Sequence, residues 1–274
     1  MTLFQSLILG IVQGLTEFIP VSSSAHLILV PWVLGWKFDP TVTFVFDVLL
    51  QLGTLAAVIV YFWKDLWEMA RAVIQGLLQR KPFESGEARL GWLIALAGLP
   101  LVVGLVFKKF FEGLHNQPVI VAIILMVAAS LLFASERIGR RTRTLESLTW
   151  LDALLIGCAQ TLALLPGVSR SAATISGGLA RDLDRPSAAR FSFILSVPTM
   201  LGASAVAIKD LVELPNFMSY LPPLALGFIA SAIVGYAGIH WLLSYLSRRS
   251  LNVFAWYRIV VGLLCLAVFF IRGA

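Results

Sequence analysis

The sequence predicts an all-α polytopic membrane protein: six transmembrane helices plus two re-entrant helical hairpins, arranged as an inverted-topology repeat. Three observations predict it. Charged residues make up only 13% of the chain and apolar residues 59%, where a soluble domain carries roughly 25% charge. The mean hydropathy is +0.89. The segment Gln13–His26, QGLTEFIPVSSSAH, is echoed at Gln160–Thr174, QTLALLPGVSRSAAT. At an offset of 147 Gly10 meets Gly157, Gln13 meets Gln160, Leu15 meets Leu162, Val21 meets Val168, Ser22 meets Ser169, Ser24 meets Ser171, Ala25 meets Ala172 and Ile28 meets Ile175. The length of 274 suits one bundle. We therefore expect a single membrane domain over 1–274, with a first repeat at 1–135 and a second at 151–271.

Residues 2–19 are apolar but hold Glu17 and stop at Pro20. As a helix they rise roughly 25 Å, and residues 22–35 about 20 Å, at about 1.5 Å per residue. Neither comfortably crosses a hydrocarbon core of about 30 Å. A Pro-Val-Ser-Ser-Ser corner joins them, so the pair reads as a re-entrant hairpin with its tip near mid-membrane. Irregular backbone at that depth is tolerated only inside protein or beside a wet cavity. Residues 151–165, the Pro166-Gly167 corner and a short helix at about 171–180 repeat the picture. Full-length spans fall near 43–63, 90–107, 118–135, 188–208, 222–246 and 253–271. The stretches 64–89 and 136–150 read as polar, basic loops. The N-terminus carries no basic run before Glu17, so no cleaved signal peptide is expected. Cys158 and Cys265 sit in apolar surroundings and read as packing residues, not as a disulfide or metal pair.

Lys and Arg counts orient the bundle. The loops at 64–89, 136–150, 181–190 and 247–252 hold 14 of the 21 basic residues; those at 31–42, 108–117 and 209–221 with the C-terminal end hold five. The positive-inside rule puts the basic loops in the cytoplasm and both termini outside it. The net charge of +6 is thereby explained by orientation, and no nucleic-acid partner is expected. Three crossings separate the copies, so the second hairpin enters from the opposite side. Inverted repeats form their sites where broken helices meet near the midplane.

The two segments also hold the unusual chemistry. Gln13 and Glu17 lie four apart on one helical face. A carboxylate at that depth is costly and usually functional, either binding a divalent cation or acting as a general base. If Ser22 caps the second helix, its free N–H groups face the tip as an anion site. Ser23 and His26, three apart, could form a nucleophile–base pair or bind one phosphate together, with Ser24 beside them. In the second copy Gly167 lets backbone approach an anion. Arg170 offers a planar fork matched to phosphate oxygens, and Ser169, Ser171 and Thr174 add hydroxyl donors. Asp47 and Gln51 could either extend the polar site or pair within helix packing. Arg258, beside Trp256 and Tyr257, reads as an interface anchor. His115 and His240 read as loop and core residues. No P-loop, HExxH, CxxC or dinucleotide fingerprint is present.

The motifs Gln13-x-x-x-Glu17, Pro20-Val-Ser-Ser-Ser-Ala-His26 and Pro166-Gly-Val-Ser-Arg-Ser-Ala-Ala-Thr174 closely resemble the signature segments of bacterial undecaprenyl-diphosphate phosphatases of the bacitracin-resistance type. The likeness extends to Gln51-Leu-Gly-Thr and to Phe191-Ser-Phe-Ile-Leu-Ser-Val-Pro198. It implies a bacterial inner-membrane enzyme that removes the terminal phosphate of a C55 isoprenoid diphosphate, with the active site opening to the side of the termini. The family's acidic motif accepts Glu or Gln at its first position; with Gln13 here, Glu17 is the main acid. The resemblance makes Glu17, Ser23, His26 and Arg170 the expected catalytic residues. Gln13, Ser22, Ser24, Gly167, Ser169, Ser171 and Thr174 are the expected phosphate-binding residues, and Glu17 the ligand of a divalent cation, Mg²⁺ or Ca²⁺. Ser23 attacking with His26 as base, His26 attacking or activating water, and direct water attack all stay open. So does the oligomeric state, with which a homodimer is compatible. Broken helices in inverted repeats also build transporters, so a lipid-phosphate flippase or anion carrier is the second reading. A purely structural protein would have little reason to keep an arginine at mid-membrane.

Overall fold

The computed structural model describes residues 1–104, 117–212 and 217–272, and its regular elements there are helical, with an isolated bridge between Arg143 and Leu183. In chain order α1 is Leu3–Phe18, α2 Ser23–Leu34, α3 Pro40–Tyr61, α4 Trp63–Leu78, α5 Gly86–Gly104, α6 Pro118–Val127 and α7 Ala129–Ile138. Then come α8 Trp150–Thr161, α9 Arg170–Ala180, α10 Arg185–Val212, α11 Phe217–Leu246 and α12 Asn252–Arg272. Pro118–Ile138, Tyr220–Leu246 and Asn252–Arg272 are each long and apolar enough to cross a bilayer. The chain is an all-helical protein with the apolar helices of a multi-pass membrane protein.

Local signals set the short helices. α1 opens on a capping box in which Thr2 accepts from the Gln5 N–H and Gln5 reaches back to the Thr2 N–H. It ends where Pro20 cannot continue it. α2 is capped by Ser22 and closes at Gly35, whose φ of 69° is a left-handed stop. α8 opens on a second capping box, Thr149 with Asp152. With 16 residues in α1 and 12 each in α2 and α8, these helices span about 24, 18 and 18 Å at about 1.5 Å per residue.

One expected segment differs. Residues 64–89 are not simply a loop: α4 is an amphipathic helix bent 77° from the end of α3. Leu66, Met69 and Val73 turn inward at spacings of three and four, Met69 buried, while Lys64, Glu68 and Arg71 line the exposed side. The high charge there masks a helical period. The expected span 118–135 is present as Pro118–Ile138, interrupted only by a one-residue turn at Ala128 between α6 and α7. His240 is exposed beside Tyr61, not in the core. Both cysteines are free, Cys265 buried and Cys158 exposed. Lys108, Lys109 and His115 lie outside the described residues.

The two helices whose sequences match at the offset of 147, α1 and α8, each lie along a long helix. α1 lies along α11, which also packs on α3, and its repeat counterpart α8 lies along α5. Small residues permit these approaches: a Cβ at Gly10 would sit 2.6 Å from the Gly227 carbonyl oxygen, and one at Gly14 2.7 Å from Val234 Cβ. Helices in lipid associate through such small-residue seams because the hydrophobic effect does not drive them together there. The four loops expected on one face are bonded to one another. Asp65 pairs with Arg190, and Arg89 donates to the Leu148 carbonyl. Glu136 accepts from Arg185 and from the Leu251 N–H, and Asp152 from Arg143 and Arg181.

Candidate active site

The corners after α1 and before α9 share a serine in the same unusual φ region. Ser22 and Ser169 each have φ of 75°, a conformation costing about 1–3 kcal/mol for a residue with a Cβ. Each caps the helix that follows: Ser22 Oγ accepts from the Ala25 N–H at 3.4 Å and Ser169 Oγ from the Ala172 N–H at 3.2 Å. Each also meets the hydroxyl two residues on, Ser24 at 3.2 Å and Ser171 at 3.1 Å. The sequence repeat is thus kept at the level of single hydrogen bonds. Two helix N-termini, α2 and α9, start at the two tips with their partial positive charge and free N–H groups.

The tips touch. Arg170 Nη2 donates to Glu17 Oε1 at 3.1 Å, with the two side chains 14% and 8% exposed. Ser171 Oγ lies 3.5 Å from the Ile19 carbonyl oxygen. The other Glu17 oxygen accepts from Ser23 Oγ at 2.6 Å and from Gln13 Nε2 at 3.0 Å. Gln13 is itself held by Thr54 of α3 at 3.3 Å. The second arm of the Arg170 fork meets the Ser192 carbonyl of α10 at 3.3 Å, and Thr174 Oγ1 binds the Arg170 carbonyl at 2.8 Å and Ser192 Oγ at 2.6 Å. A carboxylate, a hydroxyl and a guanidinium therefore converge between two helix N-termini. Thr174 meets the site from behind, through Arg170 and Ser192.

His26 stands elsewhere. Its Nδ1 lies 2.8 Å from the Ser22 carbonyl oxygen and its Nε2 2.9 Å from the Tyr257 hydroxyl. Both ring nitrogens are engaged, and the expected Ser23–His26 pair is not formed: the partner of Ser23 is Glu17. Gly167, at φ of 106°, fits against α6, where a Cβ would lie 3.0 Å from Leu125 N and Val121 O. Its carbonyl accepts from Arg258 Nη2 at 2.6 Å. Arg258 is not an interface anchor. It is fully buried, and its guanidinium also binds the carbonyls of Val168 and of Ala128, the point where α6 and α7 break. Asp47 and Gln51 supply none of the hydrogen bonds around Glu17; Thr54, one turn on, does. Thr54, Ser192, Tyr257 and Arg258 are contributors for which no role at the site was expected from the sequence, although the first two lie in stretches that carry the family resemblance. The stretches around Gln51 and Ser192 are the signal that could have found the first two, since both carry polar residues in otherwise apolar spans.

Among the described residues Glu17 is the only carboxylate bonded at the tips, and no three His, Cys, Asp or Glu gather as a metal cluster. One carboxylate, with both oxygens already accepting, suits a cation that arrives on anionic substrate oxygens and keeps water in its shell, as Mg²⁺ does.

The family model described as Bacitracin resistance protein BacA matches residues 6–264 of the chain. Among curated proteins, the chain is 45% identical to a protein of Chlorobaculum tepidum named undecaprenyl-diphosphatase, over 96% of this chain and 95% of that one. It is 45% identical to the protein of that name from Chlorobium phaeovibrioides, covering 97% and 96%. It is 42% identical to the one from Moorella thermoacetica, covering 99% and 100%.

Proposed function

The chain belongs to the bacitracin resistance protein BacA family, and from that premise we propose that it is an integral-membrane phosphatase acting on undecaprenyl diphosphate. It releases inorganic phosphate and undecaprenyl phosphate, which returns the lipid carrier to peptidoglycan synthesis, and its action confers bacitracin resistance. The observation that carries this reading is the contact of the two tips, with Ser23 Oγ 2.6 Å and Arg170 Nη2 3.1 Å from the Glu17 carboxylate.

The geometry favours Ser23 as nucleophile and Glu17 as its base. Ser23 Oγ attacks the terminal phosphorus while its proton passes to Glu17. The bond from phosphorus to the bridging oxygen breaks, the lipid phosphate departs and takes up the Glu17 proton. Water, deprotonated by Glu17, then attacks the phosphorus of the phosphoserine; the Ser23 Oγ–phosphorus bond breaks, Ser23 Oγ takes the proton back from Glu17, and inorganic phosphate leaves. Arg170 and the N–H groups at the starts of α2 and α9 stabilise the equatorial oxygens as charge redistributes. Gln13 keeps Glu17 turned toward Ser23. A divalent cation, Mg²⁺ or Ca²⁺, would be held by Glu17 together with the diphosphate and would neutralise charge there.

The same reading places α1–α2 and α8–α9 as hairpins entering from opposite leaflets, with six crossings between and after them. It puts the chain in the bacterial inner membrane, both termini on the periplasmic side and the site open to that side. The short α1, α2 and α8, the matched corners and the clustered basic loops support it.

Phosphate release from detergent-solubilised protein on a short polyprenyl diphosphate tests the activity, with and without a chelator. Steady release that falls to background in Arg170→Ala and in the chelator is expected. Substrate binding without release would favour a lipid-phosphate carrier instead, and release unchanged by chelation would remove the cation.

A further inference from the structure

Two neighbouring residues of α12 reach the two strained corners. Arg258 donates directly to the carbonyls of Gly167 and Val168, just before Ser169. Tyr257 reaches the other corner by one relay: its hydroxyl meets His26 Nε2, and His26 Nδ1 meets the Ser22 carbonyl. A carbonyl only accepts, so Nδ1 carries the proton and, in the neutral ring, Nε2 accepts from Tyr257. The two rings lie nearly parallel, 12° apart with centroids at 5.7 Å, so the phenol also fixes the imidazole plane. Ser22 and Ser169 both hold φ of 75°, and such strain persists only when surroundings over-determine it. Arg258 supplies that restraint at one corner. At the other, neither His26 nor Tyr257 contacts Glu17, Ser23 or Arg170 in any hydrogen bond described for them.

We infer that Tyr257 is a positioning residue that acts through His26 on the Ser22 carbonyl, holding the first corner as Arg258 holds the second, so that Ser23 is presented to Glu17. His26 is then a relay of position and not the base for Ser23. The inference rests on the reading of Glu17, Ser23 and Arg170 as the reacting groups.

The test compares His26→Asn, His26→Ala, Tyr257→Phe and the His26→Ala/Tyr257→Phe double variant for kcat and KM on a polyprenyl diphosphate. An asparagine amide takes roughly the place of Nδ1 and can donate to the Ser22 carbonyl, yet it cannot accept a proton from Ser23. His26→Asn should therefore keep at least about tenfold more turnover than His26→Ala, because misplacing a reacting group by about 1 Å costs about 100-fold. Tyr257→Phe should lower kcat with KM nearly unchanged, and the double variant should be no slower than His26→Ala alone, as expected of residues that act as a unit. Equal loss in His26→Asn and His26→Ala, or losses that multiply in the double variant, would overturn the inference. A second readout does not depend on turnover or on the variants folding: ¹⁵N spectra of the histidine-labelled protein should give the Nδ1–H tautomer for His26. An Nε2–H tautomer in the unsubstituted protein would overturn the relay whatever the kinetics. If the unsubstituted protein releases no phosphate, the phosphatase reading fails while the tautomer still decides the relay.

Discussion

At the scale of single residues, Glu17 has more hydrogen-bond traffic than a structural ion pair needs. One oxygen serves Arg170 from the opposite hairpin, and the other serves Ser23 and Gln13. Taking both charges of a pair out of water costs several kcal/mol, so a buried carboxylate and a largely buried guanidinium at the meeting of two tips are retained for what they do. Replacing Glu17 with Gln separates shape from basicity. The amide oxygen can still accept from Ser23, but it cannot take its proton. Turnover should fall by about 100- to 10,000-fold, the range general-base catalysis contributes, with the protein still folded. Glu17→Gln at near-normal kcat would show that Ser23 is activated by another group. Gln13, Glu17 and Arg170 were legible in the sequence, because polar groups in an oily, repeated segment stand out. The partner of Ser23 was not. A spacing of three suggests a Ser23–His26 pair, but Ser22 offers His26 its own carbonyl and Tyr257, 231 residues away, takes the other nitrogen. Arg258 misleads for the same reason: beside Trp256 and Tyr257 it resembles an interface residue, and only the fold brings three backbone carbonyls to it.

At the scale of elements, the site depends on how closely α1 approaches α11, because α1 carries Gln13 and Glu17. Gly10 and Gly14 form the seam on α1, facing Gly227 and Ala230, and Val234 and Gly235, respectively. The atom facing Gly10 is a backbone carbonyl, which cannot swing aside. Gly10→Ala should therefore push α1 off α11 and lower stability by about 1–3 kcal/mol, the usual cost of overpacking. The fall should appear as a lower melting temperature in detergent. Gly98→Ala in α5, where an added Cβ meets nothing within 4 Å, should melt like the parent. Equal melting of the Gly10 and Gly98 variants would mean that the seam is slack. The half-length helices were readable beforehand from Pro20, Ser22, Pro166 and Gly167, since each ends or starts a helix by its own chemistry. α4 was not, because charge density at 64–89 suggests a loop while Leu66, Met69 and Val73 keep a helical spacing.

At the scale of the whole molecule, the question is which side of the membrane each end faces. The loops at 64–89, 136–150, 181–190 and 247–252 are tied together by Asp65–Arg190, Arg89 to Leu148, Arg143–Asp152 and Glu136 to Leu251. They therefore share one end of the bundle. At the other end, Arg272 donates to the carbonyls of Trp32 and Val33, so the C-terminal end of α12 meets the end of α2. The ends are fixed relative to each other by contacts, and only their assignment to cytoplasm or periplasm rests on charge. That assignment matters for function, since the substrate's diphosphate must reach the tips from the side on which it is generated. Lys37, exposed just after α2, and Glu84, exposed between α4 and α5, sample the two ends. In a background with both native cysteines replaced, an impermeant maleimide should label Lys37→Cys in intact cells. Glu84→Cys should react only after the cells are opened. The reverse pattern would turn the molecule over and open the site to the cytoplasm. Labelling of both in intact cells would put residues 37 and 84 on one side of the membrane and overturn the assignment of the two ends to opposite sides.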